Sequence, residues 1–407
     1  MKKLKLISSV LFDALTKQYH AKKDRLFFVP LAYQKFLELG LPTKQNECYR
    51  NMGLKRLNDL NLVAAPQKKC LTQKGITLFN GKFVASQEKL FCQPIQEANA
   101  IFGAFLYPFY TSLLDEETDP FYAISTALCS GVVIHVSKER VSTEPIHIYN
   151  ITDLQKNQSV FPKIIFILEK GAKLNVVYHH NALEEGFCFV TFDCIMQENS
   201  KLNLQQIHLD HTSHFSFVRV QQKRDSLFKS LHVTKGAPFC LNDYKVQLTQ
   251  ENAECFLNGL WMLNGKQRAH TNAFVEHQAP YCRSFQHFKG VLLEQSRSYF
   301  EGNSFVHNQA QKTDAFQLNQ NLILSDDAIA HAKPKLEIFA DDVKASHGSN
   351  TVQIEQELLF YLQTRGISKK RAKAFLIEAF CKEMLEKVKI ETVKEALLED
   401  AQILSTT

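Results

Sequence analysis

The side chains best placed to do chemistry lie in the stretch from Lys333 to Gly348, KPKLEIFADDVKASHG. An acidic pair, Asp341 and Asp342, is followed by Ser346, His347 and Gly348. Carboxylates can move protons or hold cations, and a neutral imidazole is a common ligand for borderline metals such as iron. The residues ahead of them alternate, Leu336, Ile338 and Ala340 against Lys335, Glu337 and Phe339. This predicts a buried strand that ends by presenting the acids and the imidazole on a turn, with Gly348 letting the backbone bend sharply. Two roles are open to His347: a metal or cluster ligand, or a turn residue hydrogen-bonded to Asp341 or Asp342. Adjacent strand residues point to opposite faces, which argues against the two aspartates as an acid/base dyad.

A second cluster, His208, Asp210, His211 and His214 in HLDHTSH, has a histidine spacing that could gather ligands on a helical turn. Its neighbourhood reads as strand and loop. On a strand, His208, Asp210 and His214 share a face and His211 points away. The expectation is surface or strand-lining polar residues rather than a metal centre. No Walker A loop, G-x-G-x-x-G, G-x-S-x-G or H-E-x-x-H occurs. Any ATP-driven step must therefore come from another subunit.

The ten cysteines stand at 48, 70, 92, 129, 188, 194, 240, 255, 282 and 381. No two form a CxxC pair, and most have apolar or aromatic neighbours, as in Phe187-Cys188 and Phe239-Cys240. That pattern predicts reduced, mostly buried thiols of a cytoplasmic protein, and no cluster held by these cysteines alone. The net charge of +6 comes from 48 basic and 42 acidic residues without a long basic block, which argues against nucleic acid as a partner. The N-terminus mimics a short signal peptide, but Asp13 follows at once and no small-residue cleavage site appears. The most apolar later window, residues 98–114, is interrupted by Asn99, Pro108 and Thr111 and falls short of the roughly 20 residues a membrane span needs. A soluble chain is expected.

At 407 residues the chain exceeds one ordinary core, so two or three domains are expected to position these groups. Residues 1–118 read mainly as helical. Pro30 and Gly40 bracket one helix with Leu31, Phe36 and Leu37 as its apolar residues, and a second over 96–114 should break near Pro108. From Phe121 to Asp342 the period changes to two. Strand-like runs at 132–136, 163–168, 174–178 and 255–260 are punctuated by polar and small residues, with Ala172, Ser200, Ser226, Ala253, Ser296 and Ala328 as markers. The markers are spaced by 28, 26, 27, 43 and 32 residues. A quasi-period near 27 made of short strands predicts stacked coils, each covered by the next: a parallel β-helix, with a β-sandwich as the alternative.

After His347 the helical period returns. A segment over 355–364 ends at Gly366, and Ser368 caps a helix whose apolar face would be Ala372, Phe375, Leu376, Ala379, Phe380, Met384 and Val388. Thr392 with Glu395 reads as a capping box for a last helix. The apolar face needs cover, from the β domain or from another protein. Trimming the chain at about residue 350 is expected to leave the strand-rich core folded.

Several blocks are more specific than their physics. They are Gly302-Asn303, Gln309-Ala310-Gln311-Lys312-Thr313-Asp314-Ala315, Asn321-Leu322-Ile323-Leu324-Ser325 and the motif ending in His347. Downstream stand Glu357-Leu358-Leu359-Phe360-Tyr361-Leu362 and Arg365-Gly366-Ile367; upstream stands Leu41-Pro42-Thr43-Lys44 with Glu47 and Arg50. Through these residues the chain resembles the SufB/SufD family of iron–sulfur cluster assembly scaffolds, and its SufD branch in particular. Cys48 stands where that family usually has Trp, so altered packing is expected there.

The resemblance implies a mainly β protein with helical flanks: a right-handed parallel β-helix over 119–348, an N-terminal helical domain over 1–118 and a C-terminal helical domain over 349–407. It implies a non-catalytic scaffold subunit that pairs with a SufB-like subunit across the end of the β-helix and docks a SufC-like ABC ATPase on the C-terminal helices. Glu357, Leu358, Phe360, Tyr361, Arg365 and Gly366 fall in that docking region. No cofactor would be permanently bound; iron or an iron–sulfur cluster would be shared transiently with SufB, with His347 as the ligand at the interface. Family members often carry Cys two residues before this histidine. Here that residue is Ala345, so His347 would act with the partner's ligands. A purely mechanical ATPase adaptor with no ligand of its own is the alternative, and a carbohydrate-active β-helix enzyme a more distant one. A homodimer is left open.

Overall fold

Alternation of apolar and polar residues commits the middle of the chain to sixteen main strands, each too short to bury its inner face alone, beside one short strand at Gln158–Val160. They are β1 Ser130–Val136, β2 Ile146–Thr152, β3 Pro162–Leu168, β4 Lys173–Ala182, β5 Phe187–Met196, β6 Lys201–His208, β7 Ser213–Gln222 and β8 Leu227–Lys235. They continue as β9 Phe239–Leu248, β10 Glu254–Leu263, β11 Arg268–His277, β12 Arg283–Leu292, β13 Arg297–Val306, β14 Thr313–Ile323, β15 Ile329–Ile338 and β16 Val343–Gln353. Odd strands pair in parallel to form one sheet and even strands form the other. The chain therefore climbs one rung with every two strands and makes a parallel β-helix of eight turns, as expected. The computed structural model describes residues 9–22, 26–43, 46, 49–50, 60–65, 74–88 and 90–404. The signal-like first residues, Lys44, Glu47, Cys48 and Cys70 lie outside them.

One corner has the same form in successive turns. Gly171, Asn199, Asp225, Asn252, Tyr281 and Lys312 all have positive φ. The backbone N–H of each donates to the rung above, from Gly171 to Glu198 O, Asn199 to Arg224 O and so on to Lys312 and Asp342 O. Gly, Asn and Asp tolerate that left-handed conformation best, which is why the sequence marks the early corners clearly. The 43-residue step between Ala253 and Ser296 is a change of corner. The regular corner continues at Tyr281, where no turn-type residue marks it, whereas Glu294 and Ser296 lie on the opposite side, between β12 and β13.

The interior changes character along the axis. In register on the even sheet stand Val176, Leu204, Ser230, Leu257, Gln286, Gln317 and His347. The column is mostly apolar in early turns and polar in the last three. Gly302 on β13 makes room for this: a Cβ there would lie 2.9 Å from Oε1 of both Gln286 and Gln317.

Helices cover the sheets from outside. The odd sheet is covered by α1 Val10–Ala21, α2 Phe28–Leu39, α3 Ile95–Glu116 and α4 Pro120–Leu128. Their aromatic packing, including Phe28 stacked on Tyr110 at 3.9 Å, meets Ile165, Ile167, Phe189, Phe215 and Phe217. Two buried ionic groups tie helix to sheet. Lys163 pairs with Asp193, which also accepts from the Tyr110 and Tyr122 hydroxyls, and Arg219 bridges Glu117 and Asp243, each at 2.7 Å.

Several expectations for this region need correction. The break in α3 is at Phe102, beside the weak helix former Gly103, rather than at Pro108, which the helix accommodates. Phe121-Tyr122-Ala123, read as the start of the strand region, is helical, with Asp119 accepting from the Tyr122 N–H and Pro120 at the first position. Residues 1–118 also contain strands: Ile76–Phe79 pairs with β2 and Phe91–Pro94 with β1, closing the first turn. On α2, Leu31 and Leu37 are exposed, while Phe28, Val29, Ala32, Tyr33 and Phe36 are buried.

The even sheet is covered by α6 Lys369–Leu385 and α7 Glu391–Leu404, and α5 Gln356–Thr364 packs against α6. Ser368 caps α6 as expected, accepting from the Arg371 N–H. Ala372 is buried, and Ile377, Cys381, Met384, Leu385 and Val388 pack on Val177, Ile207, Leu231, Leu260 and Met262. Phe375 and Ala379, expected inside, face out, because the set spaced through Ile377 and Cys381 seats on the sheet instead. Thr392 is not a cap: α7 begins at Glu391, and Ile390 O accepts from the Lys394 N–H. The β domain thus supplies the cover for α6.

Candidate functional site

The two ends of the β-helix differ. The first turn is closed by added strands, but among the described residues β15 and β16 have no strand beyond them. The Lys333–Gly348 stretch is this open end. β15 is half-exposed rather than buried, because no further rung covers it. His347 is in the middle of β16, not on a turn, and Gly348 continues the strand in register with Leu318. The bend is at Asp341 and Asp342, where Asp342 pairs with Lys312 and its N–H donates to Gln311 Oε1 at 2.9 Å. No hydrogen bond joins His347 to either aspartate among the described residues. The imidazole is exposed at the mouth of the polar inner column, above Gln317. Ala345 shares its row and offers no donor.

Following β16 in the chain, α5 presents an exposed apolar group. Phe360 is 68% exposed, Tyr361 53% and Leu358 41%, and Phe375 of α6 adds 51%. Glu357, Arg365 and Gly366 are exposed beside them. Arg365 lies over the Tyr361 ring, its guanidinium carbon 5.3 Å from the centroid.

The histidine cluster is elsewhere and is built differently from the sequence expectation. β4 carries His180 near its end, β5 opens with Phe187-Cys188, the turn after β6 carries Asp210, and β7 opens with Ser213-His214. Register sets His208 over His180 and His214 over Cys188. Donor atoms of His180, Cys188 and His214 all lie within 4.8 Å of one another, and all three side chains are buried. Asp210 accepts from His180 Nδ1 at 2.6 Å and His214 Nε2 at 3.1 Å, and from the Thr212 and Ala182 N–H groups. His208 stands 4.3 Å from the His214 ring and 4.7 Å from the His232 ring, while His211 is exposed.

Burial opposes charge on His180, yet Cys188 and Asp210 hold its pKa up at about 10. Burial also pushes the Cys188 thiol up, but His180 and His214 outweigh it and bring it down to about 7. The same two imidazoles hold Asp210 well below the usual carboxylate range despite its burial. This is a compact donor set of one sulfur and two nitrogens.

A family model described as the SUF system FeS cluster assembly SufBD core domain matches residues 150–380. The chain belongs to the SufBD family. It is 26% identical to the iron–sulfur cluster assembly protein SufD of Escherichia coli (strain K12), over 90% of this chain and 89% of that protein. It is 24% identical to an iron–sulfur cluster assembly SufBD family protein of Synechocystis, over 88% and 86% of the two chains. It is 30% identical to a SufBD family protein of Mycobacterium tuberculosis (strain H37Rv), over 66% and 69%.

The SufBD core match runs from within β2 to within α6 and so contains His347, the α5 patch and the buried cluster. The eight described cysteines are free thiols, buried except for the half-buried Cys92. No helix among the described residues is long and apolar enough to cross a membrane. Sequence reading found His208, Asp210 and His214 in this SufBD chain but missed His180 and Cys188. Overlaying the chain on itself at the 26- to 28-residue interval would have stacked each of them under a histidine.

Proposed function

We propose that this chain is a non-catalytic scaffold subunit for iron–sulfur cluster assembly in the SUF system, joined to a SufB-like subunit and a SufC-like ABC ATPase. The observation that carries the reading is the uncovered last turn with His347 exposed on its outermost strand. An unpaired sheet edge invites pairing, and a partner presenting its own edge would cover it through backbone hydrogen bonds. Without that partner, a second copy of this chain is the natural substitute. His347 would then stand at the seam and lend one imidazole to iron or a nascent cluster, which is cargo rather than a resident group. Because Ala345 supplies no donor, the other ligands have to come from the partner.

The chain has no nucleotide loop, so the energy source must dock. The exposed Leu358, Phe360, Tyr361 and Phe375, flanked by Glu357 and Arg365, have the apolar centre and polar rim of an interface. Free thiols fit a reducing, cytoplasmic setting.

Co-expression of the three subunits tests this. Phe360→Ala with Tyr361→Ala is expected to release the ATPase while the SufB-like subunit stays bound. His347→Ala is expected to leave the complex intact, since the side chain is exposed, and to reduce cluster formation at least tenfold. Full cluster formation by an intact His347→Ala complex would leave the purely mechanical adaptor as the better reading.

A further inference from the structure

We infer that His180, Cys188 and His214 form a closed site for one thiophilic divalent ion of the zinc class, with Asp210 orienting both imidazoles from behind. The inference is independent of the scaffold role and of His347. The carboxylate occupies Nδ1 of His180 and Nε2 of His214, so each ring carries its proton on the side facing Asp210. Of the opposite nitrogens, Nδ1 of His214 is left as a lone-pair donor, and Nε2 of His180, 3.3 Å from the Thr152 hydroxyl, becomes one when a cation displaces its proton. A carboxylate that fixes ring orientation and tautomer is the usual support behind a metal-binding histidine.

Two further observations point to a ligand rather than to a self-contained polar cluster. His214 Nδ1 is buried with no hydrogen-bond partner among the described residues, and the same holds for both ring nitrogens of His208, the next ring along. Leaving such atoms unpaired in a buried site is unfavourable. Charge also balances. A divalent cation with the Cys188 thiolate and the Asp210 carboxylate is neutral overall, which a buried site requires. The sulfur has outer support as well, with Asn150 Nδ2 3.7 Å away.

One sulfur and two imidazoles suit zinc, whose structural sites are closed and four-coordinate. His208, whose ring centroid lies 4.3 Å from that of His214, offers a further imidazole for the remaining position. A nucleophilic Cys–His–Asp reading of the same residues fails on access, because Cys188 and both histidines are fully enclosed between turns.

The full chain purified from zinc-supplemented cells and washed with chelator should retain one zinc per chain. Its X-ray absorption spectrum should show one sulfur at about 2.3 Å with nitrogens at about 2.0 Å. Cys188→Ser should lose the sulfur shell and the zinc. Cys194→Ser, which alters a buried thiol outside the cluster, should keep both. Asp210→Asn should weaken binding about 10- to 100-fold through its outer-shell role. Trace zinc in the folded wild-type chain, a shell without sulfur, or full zinc retained by folded Cys188→Ser would overturn the inference. If Cys188→Ser does not fold, as circular dichroism would report, the wild-type stoichiometry and spectrum decide alone.

Discussion

At the scale of single residues, imidazoles away from either site set an acid limit on the fold. His277 is buried inside β11, its Nε2 2.8 Å from Ser284 Oγ. His270 is sandwiched between the Phe239 and Tyr299 rings, at 5.5 and 4.4 Å. Burial lowers both to about 3, with Arg268 adding to the effect at His270. An unfolded imidazole titrates near 6.5. Between those values the unfolded chain binds more protons, so the stability present above pH 6.5 is lost as pH falls toward 3. Each group contributes a slope of up to about 1.4 kcal/mol per pH unit. Urea midpoints at pH 7 and pH 5 should differ less in the His270→Gln, His277→Gln double variant than in the wild type. Equal differences would dismiss the account. Which histidines are buried was not legible from types and spacing. His347 stood out by its neighbours and proved exposed, while His180 and Cys188 gained meaning only from the register that stacks separate rungs.

At the scale of elements, the N-terminal helices are fixed by charge as well as by aromatic packing. Lys163 and Asp193 are both fully buried, on adjacent odd strands, with Tyr110 of α3 and Tyr122 of α4 donating to the carboxylate. Removing one partner of such a pair strands the other charge, at a cost of about 3–5 kcal/mol. Lys163→Met should lose stability of that order by chemical denaturation, and adding Asp193→Asn should recover part of it. A loss below about 1 kcal/mol would mean that water reaches the aspartate. Strand existence was readable here, because KIIFIL alternates poorly but is too apolar and β-branched for a loop. The burial of Lys163 was not readable, since a lysine at a strand start ordinarily faces water. The α6 stripe was partly misplaced for a related reason: Phe375 looks like a core residue by type, and only the shape of the sheet shows that Ile377 and Cys381 seat there.

At the scale of the whole molecule, the outer faces of the two sheets differ from the open end in what covers them. Ile377, Cys381, Met384, Leu385 and Leu397 seal Val177, Ile207, Leu231, Val233, Leu260 and Met262 from water. Trimming the chain near residue 350 would bare that strip, contrary to the sequence expectation of an independent core. The truncated chain should aggregate or run as large species in size-exclusion chromatography, and a monodisperse folded core would refute this. The β-helix itself was legible because its early corners use Gly, Asn and Asp, and the quasi-period failed only where Tyr281 and Lys312 took over the same conformation.

The uniform corner has a mechanical consequence. Each rung bonds only to its neighbours, so the stack is a modular gauge graduated in steps of about 4.8 Å. His214 in the fourth turn and His347 in the eighth are held four graduations apart, roughly 19 Å. Excising one complete coil between them would shorten that reach by a single step while both extremities kept their chemistry. Chain length in this architecture is therefore a dial for the distance between whatever the two places hold.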